Sequence, residues 1–343
     1  MAESLDIESF LEKSKDYLVI DVRSPIEYQH GHIPHAQNLP LFTDEERAAV
    51  GKLYRMRGRE EAVKEGLRLI GPKLEQMVHS AEILSPSKTV LIYCWRGGMR
   101  SASIAFLLET AGFKVFLLHK GYKSFRQHVI KSFHEAVNLR VLGGMTGSGK
   151  TEILSEMKKM GCQTIDLEGL ANHKGSAFGH IGQAEQPTTE AFENALFYEI
   201  RKLDPQKPAW IEDEGIEIGR VHLPKTFYVQ KMNAPILLIE MARELRAERL
   251  VVEYSQINDL QLKESIQQIE KKLGNLAMKQ ALEALGDKDY HSVAMILLVY
   301  YDEAYQHMLN KRGKESISQI ALHGIDAKIN ARICLEMMLP WNS

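Results

Sequence analysis

The sequence predicts an α/β protein with two doubly wound, mainly parallel-sheet domains, the second of which carries an inserted helical subdomain. Three observations lead to this fold class. Short apolar runs alternate with segments of helical periodicity, a pattern typical of parallel sheets that are covered by helices. A glycine-rich motif, Gly144 to Thr151, lies near the middle of the chain. The 343 residues are enough for two domains with separate cores. We place these domains at 1–134 and 135–343.

In the first domain, short apolar runs predict buried parallel strands at Tyr17–Asp21, Thr89–Cys94 and Val115–Leu118. Helical segments are predicted between and after these strands, over 44–57, 59–77 and 99–111.

The second domain repeats the alternation. Its predicted strands are Leu139–Leu142, Cys162–Leu167, Trp210–Ile211 and Pro235–Met241. A continuous helical pattern over about 250–312, with glycines where helices are expected to end, predicts the inserted subdomain. A returning strand over 316–322 and a closing helix over 325–338 complete the predicted domain.

The glycine-rich motif predicts a phosphate-binding loop. It matches the pattern G-x-x-x-x-G-K-[ST], with a predicted strand before it and a helix after it. Its glycines let backbone N–H groups converge on phosphate oxygens, Lys150 adds a positive charge, and the Thr151 hydroxyl is a candidate Mg²⁺ ligand. The alternative is a glycine-rich turn without a ligand. The predicted binding residues are Gly144, Met145, Thr146, Gly147, Ser148, Gly149, Lys150 and Thr151.

An acidic run, Glu212 to Glu214, follows the predicted strand at Trp210. Because Mg²⁺ is usually held by a carboxylate at such a strand end beside a P-loop, Asp213 or Glu214 is a candidate metal ligand, and Asp213 is the one we select. The alternative is an ordinary solvated strand end.

Three arginines, Arg243, Arg246 and Arg249, lie in the helical segment that follows the last apolar run of this group. They could close over bound phosphates as a lid. Pairing with glutamates three or four residues away on an exposed helix explains them equally well.

Cys94 ends a predicted strand of the first domain, at the sheet edge where α/β proteins bind ligands. The small residues after it allow N–H groups to converge, and a helix start with nearby arginines favours the reactive thiolate. We therefore predict a nucleophilic thiol in an anion-binding loop; the alternative is a buried strand-end cysteine, which is our interpretation of Cys162 and Cys334. The predicted loop residues are Trp95, Arg96, Gly97, Gly98, Met99 and Arg100.

The junction between the domains is basic, with Lys120, Lys123 and Arg126 on one segment. It is either a solvated helix or a strip that contacts RNA phosphates, in which Tyr122 or Phe125 would stack on a base.

The composition limits the class of protein. A net charge of −2 argues against general coating of nucleic acid, so any RNA contact must be a local patch. Three widely spaced cysteines form neither a disulfide framework nor a zinc spacing and indicate a reducing compartment. No secretory signal and no run of about 18 apolar residues is visible. We expect a cytoplasmic protein without membrane contact.

The segment from Asp21 to Pro40, together with the Cys94 loop, resembles the rhodanese homology domain. In that family the cysteine carries a persulfide sulfur or, in a related branch, attacks a phosphate ester; the loop from Cys94 to Met99 looks like the sulfur-carrying form. The resemblance implies that an ion-paired corner, Asp21, Arg23 and Glu27, fixes the first strand. Three nearby histidines are then interpreted as turn and surface residues rather than metal ligands: His30, His32 and His35.

A rhodanese-like domain followed by a P-loop domain resembles the bacterial tRNA 2-selenouridine synthase family. Further stretches carry the resemblance: Asn38 to Leu41, Asp44 to Gly51, Gly121 to Lys123, Asp166 to Ala171, His173 to Gly179, Phe192 to Asn194, Glu212 to Glu214, Ile218 to Gly219, His222 to Pro224 and Tyr300 to Asp302.

The family implies conversion of wobble 2-thiouridine in tRNA to 2-selenouridine through an S-geranyl-2-thiouridine intermediate. Geranyl diphosphate and selenophosphate are the implied substrates, with no tightly bound cofactor and Mg²⁺ as a candidate ion. The P-loop would hold a diphosphate, and Cys94 would carry or present selenium.

One departure from the family pattern concerns the acidic run, which is followed by Gly215 and Ile216 instead of Ser-Arg. An arginine contact there would be missing or supplied by Arg220. Two rival functions stay open. One is an ATP-dependent kinase or NTPase fused to a sulfurtransferase; the other is a regulatory binding module with an unreactive cysteine.

Overall fold

The computed structural model describes residues 2–176, 178–310, 312 and 317–338. The chain divides into two compact units, Met1–Ser132 and Phe133–Ser343. Each unit contains a five-stranded sheet in which every pairing is parallel. The predicted α/β fold class is therefore confirmed.

The sheet of the first unit has the strand order β1-β5-β4-β2-β3. Its strands are β1 Glu3–Leu5, β2 Leu18–Asp21, β3 Gln37–Asn38, β4 Thr89–Tyr93 and β5 Lys114–Leu118. Its helices are α1 Ile7–Lys13, α2 Pro25–His30, α3 Asp44–Arg57, α4 Arg59–Ile70, α5 Leu74–Leu84, α6 Met99–Thr110 and α7 Gly121–Ser132. The central strands are apolar and buried, which places the core between the sheet and helices α5 and α6.

The helix predicted over 59–77 is in fact two helices. A 3₁₀ turn, Gly71–Lys73, separates α4 from α5. Pro72 lacks an N–H group and its ring would collide with the carbonyl of the preceding turn, so a continuous α-helix cannot pass through it.

The sheet of the second unit has the order β12-β11-β6-β8-β7. Its strands are β6 Leu139–Gly144, β7 Gln163–Ile165, β8 Ala209–Glu212, β11 Ile236–Glu240 and β12 Ile317–Ala321, and a separate antiparallel hairpin consists of β9 Glu217–Ile218 and β10 Val221–His222. The flanking helices are α8 Lys150–Lys159, α9 Leu167–Ala171, α10 Thr189–Arg201, α11 Lys225–Asn233 and α17 Ala327–Met338. Strand β6 is the central strand, so the loop that follows it begins between the carboxyl ends of β8 and β11.

The helical insertion lies between β11 and β12. Its described helices are α12 Arg243–Tyr254, α13 Asp259–Gln268, α14 Glu270–Leu273, α15 Asn275–Gly286 and α16 Tyr290–Leu309. Helix α12 begins at Arg243, in the segment predicted to be helical, and continues past residue 250 into the predicted insertion because no helix-breaking residue interrupts this stretch. They pack around a core of their own that includes Leu262, Ile266 and Leu297. Ser316, the first residue of the predicted returning strand, lies outside the described residues.

No helix in the described part of the chain is long and apolar enough to cross a membrane.

Candidate functional site

The loop between β6 and α8 has the backbone geometry of a phosphate cradle. Gly147 and Gly149 have φ angles of +81° and +78°, which residues with a Cβ rarely adopt. The loop is also held from outside, because Gly144 N donates to Tyr305 Oη at 2.9 Å and Arg246 Nη1 donates to Thr146 O at 3.1 Å. Lys150 Nζ donates to Gly144 O at 2.9 Å, which places the ammonium across the mouth of the loop.

A cavity of about 820 Å³ opens from this loop. We call the part of the lining that consists of the loop itself with the carboxyl ends of β7 and β8 the polar end. We call the aliphatic and aromatic part, most of which belongs to the helical insertion, the apolar end; the charged residues Lys174, Glu253 and Lys272 also line the cavity. Phe178 contributes a ring 5.7 Å from that of Tyr254 and 6.3 Å from that of Tyr301. The wall includes Phe178, Leu250, Tyr254, Ile257, Ile269 and Tyr301.

Among the glutamates that line the cavity, Glu168, Glu212 and Glu214 lie near the carboxyl ends of β7 and β8. Thr151 Oγ1 donates to Glu168 Oε2 at 2.8 Å. Burial and the nearby charge of Glu214 raise the pKa of Glu168 to about 8, and burial raises the pKa of Glu212 and Glu214 as well. The Glu168 carboxyl group therefore retains its proton near neutral pH.

Asp213 does not fit the predicted metal role. Its Oδ1 accepts from Lys231 Nζ at 3.1 Å and from Arg312 Nη2 at 2.6 Å, and its Oδ2 accepts from Tyr305 Oη at 3.0 Å. Burial disfavours its charge, but Lys231 and Arg312 outweigh burial and hold the pKa of Asp213 below its usual value. Both oxygens are committed to these partners, so Asp213 is a structural ion-pair residue.

Mg²⁺ on Thr151 stays a prediction. The carboxyl group in contact with the Thr151 hydroxyl is that of Glu168. Across the described residues, no group of three or more His, Cys, Asp or Glu side chains is arranged to hold a metal ion.

The Cys94 loop connects β4 to α6. Cys94 is 3% exposed, and its Sγ lies 3.2 Å from Ser101 Oγ and accepts from Gly98 N at 3.4 Å. The N-terminus of α6 at Met99 thus lies beside the sulfur. The N–H groups at this end of α6 suit an anion bound in the loop.

Two family models match the chain: the rhodanese-like domain over residues 6–128, and the tRNA 2-selenouridine synthase AAA domain over residues 137–332. The chain is 34% identical to a tRNA 2-selenouridine synthase of Shewanella halifaxensis, covering 88% of this chain and 91% of the relative. It is 35% identical to one of Sulfurovum sp., covering 91% and 93%, respectively. A third relative with this name, from Hydrogenovibrio crunogenus, is 34% identical over 87% of this chain and 91% of its own length. The chain belongs to the tRNA 2-selenouridine synthase family.

The three arginines of α12 near the P-loop, Arg243, Arg246 and Arg249, differ in their burial and in their hydrogen-bond partners. Arg246 is buried, and its Nη1 donates to Asp302 Oδ1 at 2.7 Å. Arg243 donates to the same carboxylate at 3.0 Å. Only Arg249 of these three borders the cavity. Arg220, the proposed replacement for the arginine of the family pattern, lies on the β9–β10 turn with 74% of its side chain exposed.

Arg100 does not act as a free cation beside Cys94, because its Nη1 donates to Glu27 Oε2 at 2.6 Å. Glu27 therefore links α2 to the start of α6. The other two residues of the predicted corner form their own buried pair, in which Arg23 Nη2 lies 2.6 Å from Asp21 Oδ2.

The basic junction lies at the start of α7. Lys120 and Lys123 are exposed and Arg126 is half-buried, so contact with RNA phosphates stays a prediction for these residues. Tyr122 and Phe125 are completely buried, and the prediction that either stacks on an RNA base is wrong. The ring of Tyr122 instead lies 3.9 Å from the Arg23 guanidinium.

The sequence interpretation missed the contact between α7 and the Cys94 loop. Tyr122 N donates to Cys94 O at 2.8 Å and Lys123 N donates to Trp95 O at 3.0 Å. Gly121, at φ +58°, allows this approach, since a Cβ there would collide with Cys94 O. The Gly121-Tyr122-Lys123 triplet is visible in the sequence. Its role was missed because its partners, Cys94 and Trp95, lie much earlier in the chain.

Proposed function

We propose that this protein converts 2-thiouridine in tRNA to 2-selenouridine through an S-geranyl-2-thiouridine intermediate, with geranyl diphosphate and selenophosphate as substrates. The observation that carries this proposal is the cavity in the second unit, where a phosphate-binding loop adjoins an apolar and aromatic wall. The relatives are named tRNA 2-selenouridine synthase, which supports 2-selenouridine in tRNA as the product.

The polar end of the cavity suits the departure of a diphosphate. As the carbon–oxygen bond of geranyl diphosphate breaks, negative charge grows on the leaving group. A diphosphate in the loop would meet the loop N–H groups, the helix α8 N-terminus and Lys150, an arrangement that lowers such a barrier.

The apolar end of the cavity suits a hydrocarbon chain. Burial of a geranyl group against Phe178, Tyr254 and Tyr301 removes apolar surface from water at about 25 cal/mol per Å². Aromatic side chains also stack on nucleobases, so ATP is the competing ligand, and the measurements of geranyl diphosphate binding and ATP turnover below distinguish it from a prenyl diphosphate.

Prenyl transfer prepares the selenium step. A thiocarbonyl sulfur is a poor leaving group, whereas an S-alkylated sulfur departs as a thiol. Alkylation therefore activates C2 of the uracil ring toward selenium. We assign the selenium donor to the Cys94 loop in the first unit, where N–H groups and the α6 N-terminus suit an anion.

The test of the diphosphate site is Lys150→Ala, with RNA that contains 2-thiouridine and with geranyl diphosphate. Loss of the charge that acts on the leaving group should lower the rate of S-geranyl formation by a factor on the order of 10². Lys159→Ala is the matched control, because Lys159 is on the same helix but exposed and paired with Glu156. Wild-type geranylation by Lys150→Ala would contradict the proposal.

The rival function is an ATP-dependent kinase or NTPase fused to a sulfurtransferase, which the loop motif alone would equally allow. Geranyl diphosphate binding without ATP turnover is the expected result. ATP hydrolysis stimulated by tRNA, together with no binding of geranyl diphosphate, would favour the rival.

A further inference from the structure

We infer that Arg249 is the second cation of the diphosphate site and contacts the leaving diphosphate together with Lys150. This inference rests on the proposed function and specifies how that site recognises two linked phosphates. Arg249 would be a catalytic residue contributed by the helical insertion.

The Arg249 guanidinium lies directly over the phosphate-binding loop. A Cβ placed on Gly149 would be 3.1 Å from Arg249 Cζ, 3.2 Å from Nη1 and 3.3 Å from Nε. Gly149 immediately precedes Lys150 and caps α8, so the guanidinium is next to the helix N-terminus where phosphates bind. Its side chain is 15% exposed and borders the cavity.

The hydrogen bonds of Arg249 indicate an incomplete site. Nη2 donates to Glu152 Oε1 at 2.7 Å, whereas Nε is buried without a partner. Buried N–H groups are nearly always paired, and leaving one unpaired costs free energy. A phosphate in the loop offers oxygens to Nε and a neighbouring Nη together, in the paired geometry that guanidinium groups favour.

Glu152 holds Arg249 weakly enough to be displaced. The Glu152 side chain is 50% exposed, so water can solvate its carboxylate when it leaves Arg249. A diphosphate carries more charge than one carboxylate. On binding, Arg249 therefore transfers to the phosphate, and Glu152 turns to solvent.

The neighbouring arginines cannot take this role. Arg246 is committed to Asp302 and to Thr146 O, and Arg243 is committed to Asp302. Helix α12 also contributes Leu250 and Tyr254 to the apolar wall. One helix thus contacts both ends of a prenyl diphosphate.

The experiment is calorimetric titration of inorganic pyrophosphate into the full chain, as wild type, Lys150→Ala, Arg249→Ala, Arg249→Lys and Glu152→Gln. Arg249→Ala should bind about 10-fold more weakly or worse, and Arg249→Lys should be intermediate because it keeps the charge but loses the paired geometry. Glu152→Gln should bind as tightly as the wild type or more tightly, because it removes the competitor for Arg249.

The opposite effects of Arg249→Ala and Glu152→Gln separate a ligand role from a structural one. If Arg249 only links α12 to α8, both variants break the same pair and weaken binding alike, which would overturn the inference. Wild-type affinity in Arg249→Ala, with loss in Lys150→Ala, would also overturn it but leave the proposed function intact. A wild-type protein that does not bind pyrophosphate would contradict the diphosphate site itself. Melting temperatures verify folding, and Arg249→Lys replaces Arg249→Ala if the latter unfolds.

Discussion

Glu168, beside the P-loop, makes the stability of the protein depend on pH. Burial, with the nearby Glu214, raises the Glu168 pKa from 4.5 to about 8, so this carboxyl binds its proton more tightly in the folded chain than in the unfolded one. A raised pKa contributes stability that is complete below the unfolded pKa and lost as pH rises through the folded pKa. The free energy of unfolding should therefore decrease from about pH 5 to about pH 8.

Urea unfolding of the wild type and Glu168→Gln across this pH range measures the effect, without added diphosphate or metal. The amide keeps an oxygen for the Thr151 hydroxyl but does not titrate, so the variant should show a flatter profile. The pKa of Asp213 is lowered from 3.8, so the titration of this group changes the stability only at pH values below this range. Parallel profiles for the two proteins would show that the Glu168 proton is not held by the fold.

The variant Asp213→Asn tests whether the Asp213 carboxylate has a structural role or binds a metal ion. Asp213→Asn leaves Lys231 and Arg312, both completely buried, without their shared counter-charge, and should lower the free energy of unfolding by about 3 kcal/mol. Urea unfolding in the presence of a chelator measures this loss. Asp204→Asn, at an exposed pair with Lys207, is the control and should change little. A metal ligand without structural role would leave the chelated protein as stable as the wild type.

At the scale of elements, strands with long apolar runs and the glycine motif were predictable because their signals are local. The edge strand β1 has three residues, and β3, β9 and β10 have two each, too few to give a pattern. Their existence depends on pairing with distant segments. Likewise, Arg246 and Arg249 look alike in sequence, and only the packing of α12 against the P-loop separates a structural arginine from one at the cavity.

Hydrogen bonds from the start of α7 hold the Cys94 loop in place, and the variant Gly121→Ala tests this contact. Gly121→Ala places a Cβ against Cys94 O and Gly97 N at a positive φ, whereas Gly112→Ala meets only the φ penalty, since no atom lies within 4 Å. We expect Gly121→Ala to lower the free energy of unfolding by about 1 to 3 kcal/mol more than Gly112→Ala. It should also change the rate at which Cys94 is alkylated. Equal destabilisation and equal alkylation rates would show that this contact does not hold the loop.

At the scale of the whole molecule, two α/β units and the family could be predicted because each unit carries a recognisable local motif. The motif is the Cys94 loop in the first unit and the P-loop in the second. The roles of individual residues were harder to predict. Asp213 receives its partners from positions 18 and 99 residues away, and no local pattern reveals such pairs. The two motifs lie in separate units, so the proposed prenyl and selenium steps depend on different residues and should be separable.

Cys94→Ser tests that separation, because it changes one sulfur to oxygen and keeps a group that can accept from Gly98 N. In the proposed reaction prenyl transfer uses the P-loop, so the variant should still convert 2-thiouridine in tRNA to its S-geranyl form. The proposed selenium step uses the Cys94 sulfur, and a serine hydroxyl, which is far less acidic than a thiol, cannot replace it. Nucleoside mass spectrometry should therefore show geranylated tRNA that accumulates without selenouridine.

Cys162→Ser is the matched control, since Cys162 is half-buried on the second unit, and it should form selenouridine at the wild-type rate. If Cys94→Ser also does so, the sulfur of Cys94 has no part in the reaction, and selenophosphate must react with the geranylated tRNA directly. If Cys94→Ser instead loses both steps, prenyl transfer depends on the first unit as well. The assignment of one reaction to each unit would then be wrong, even though each motif is correctly located.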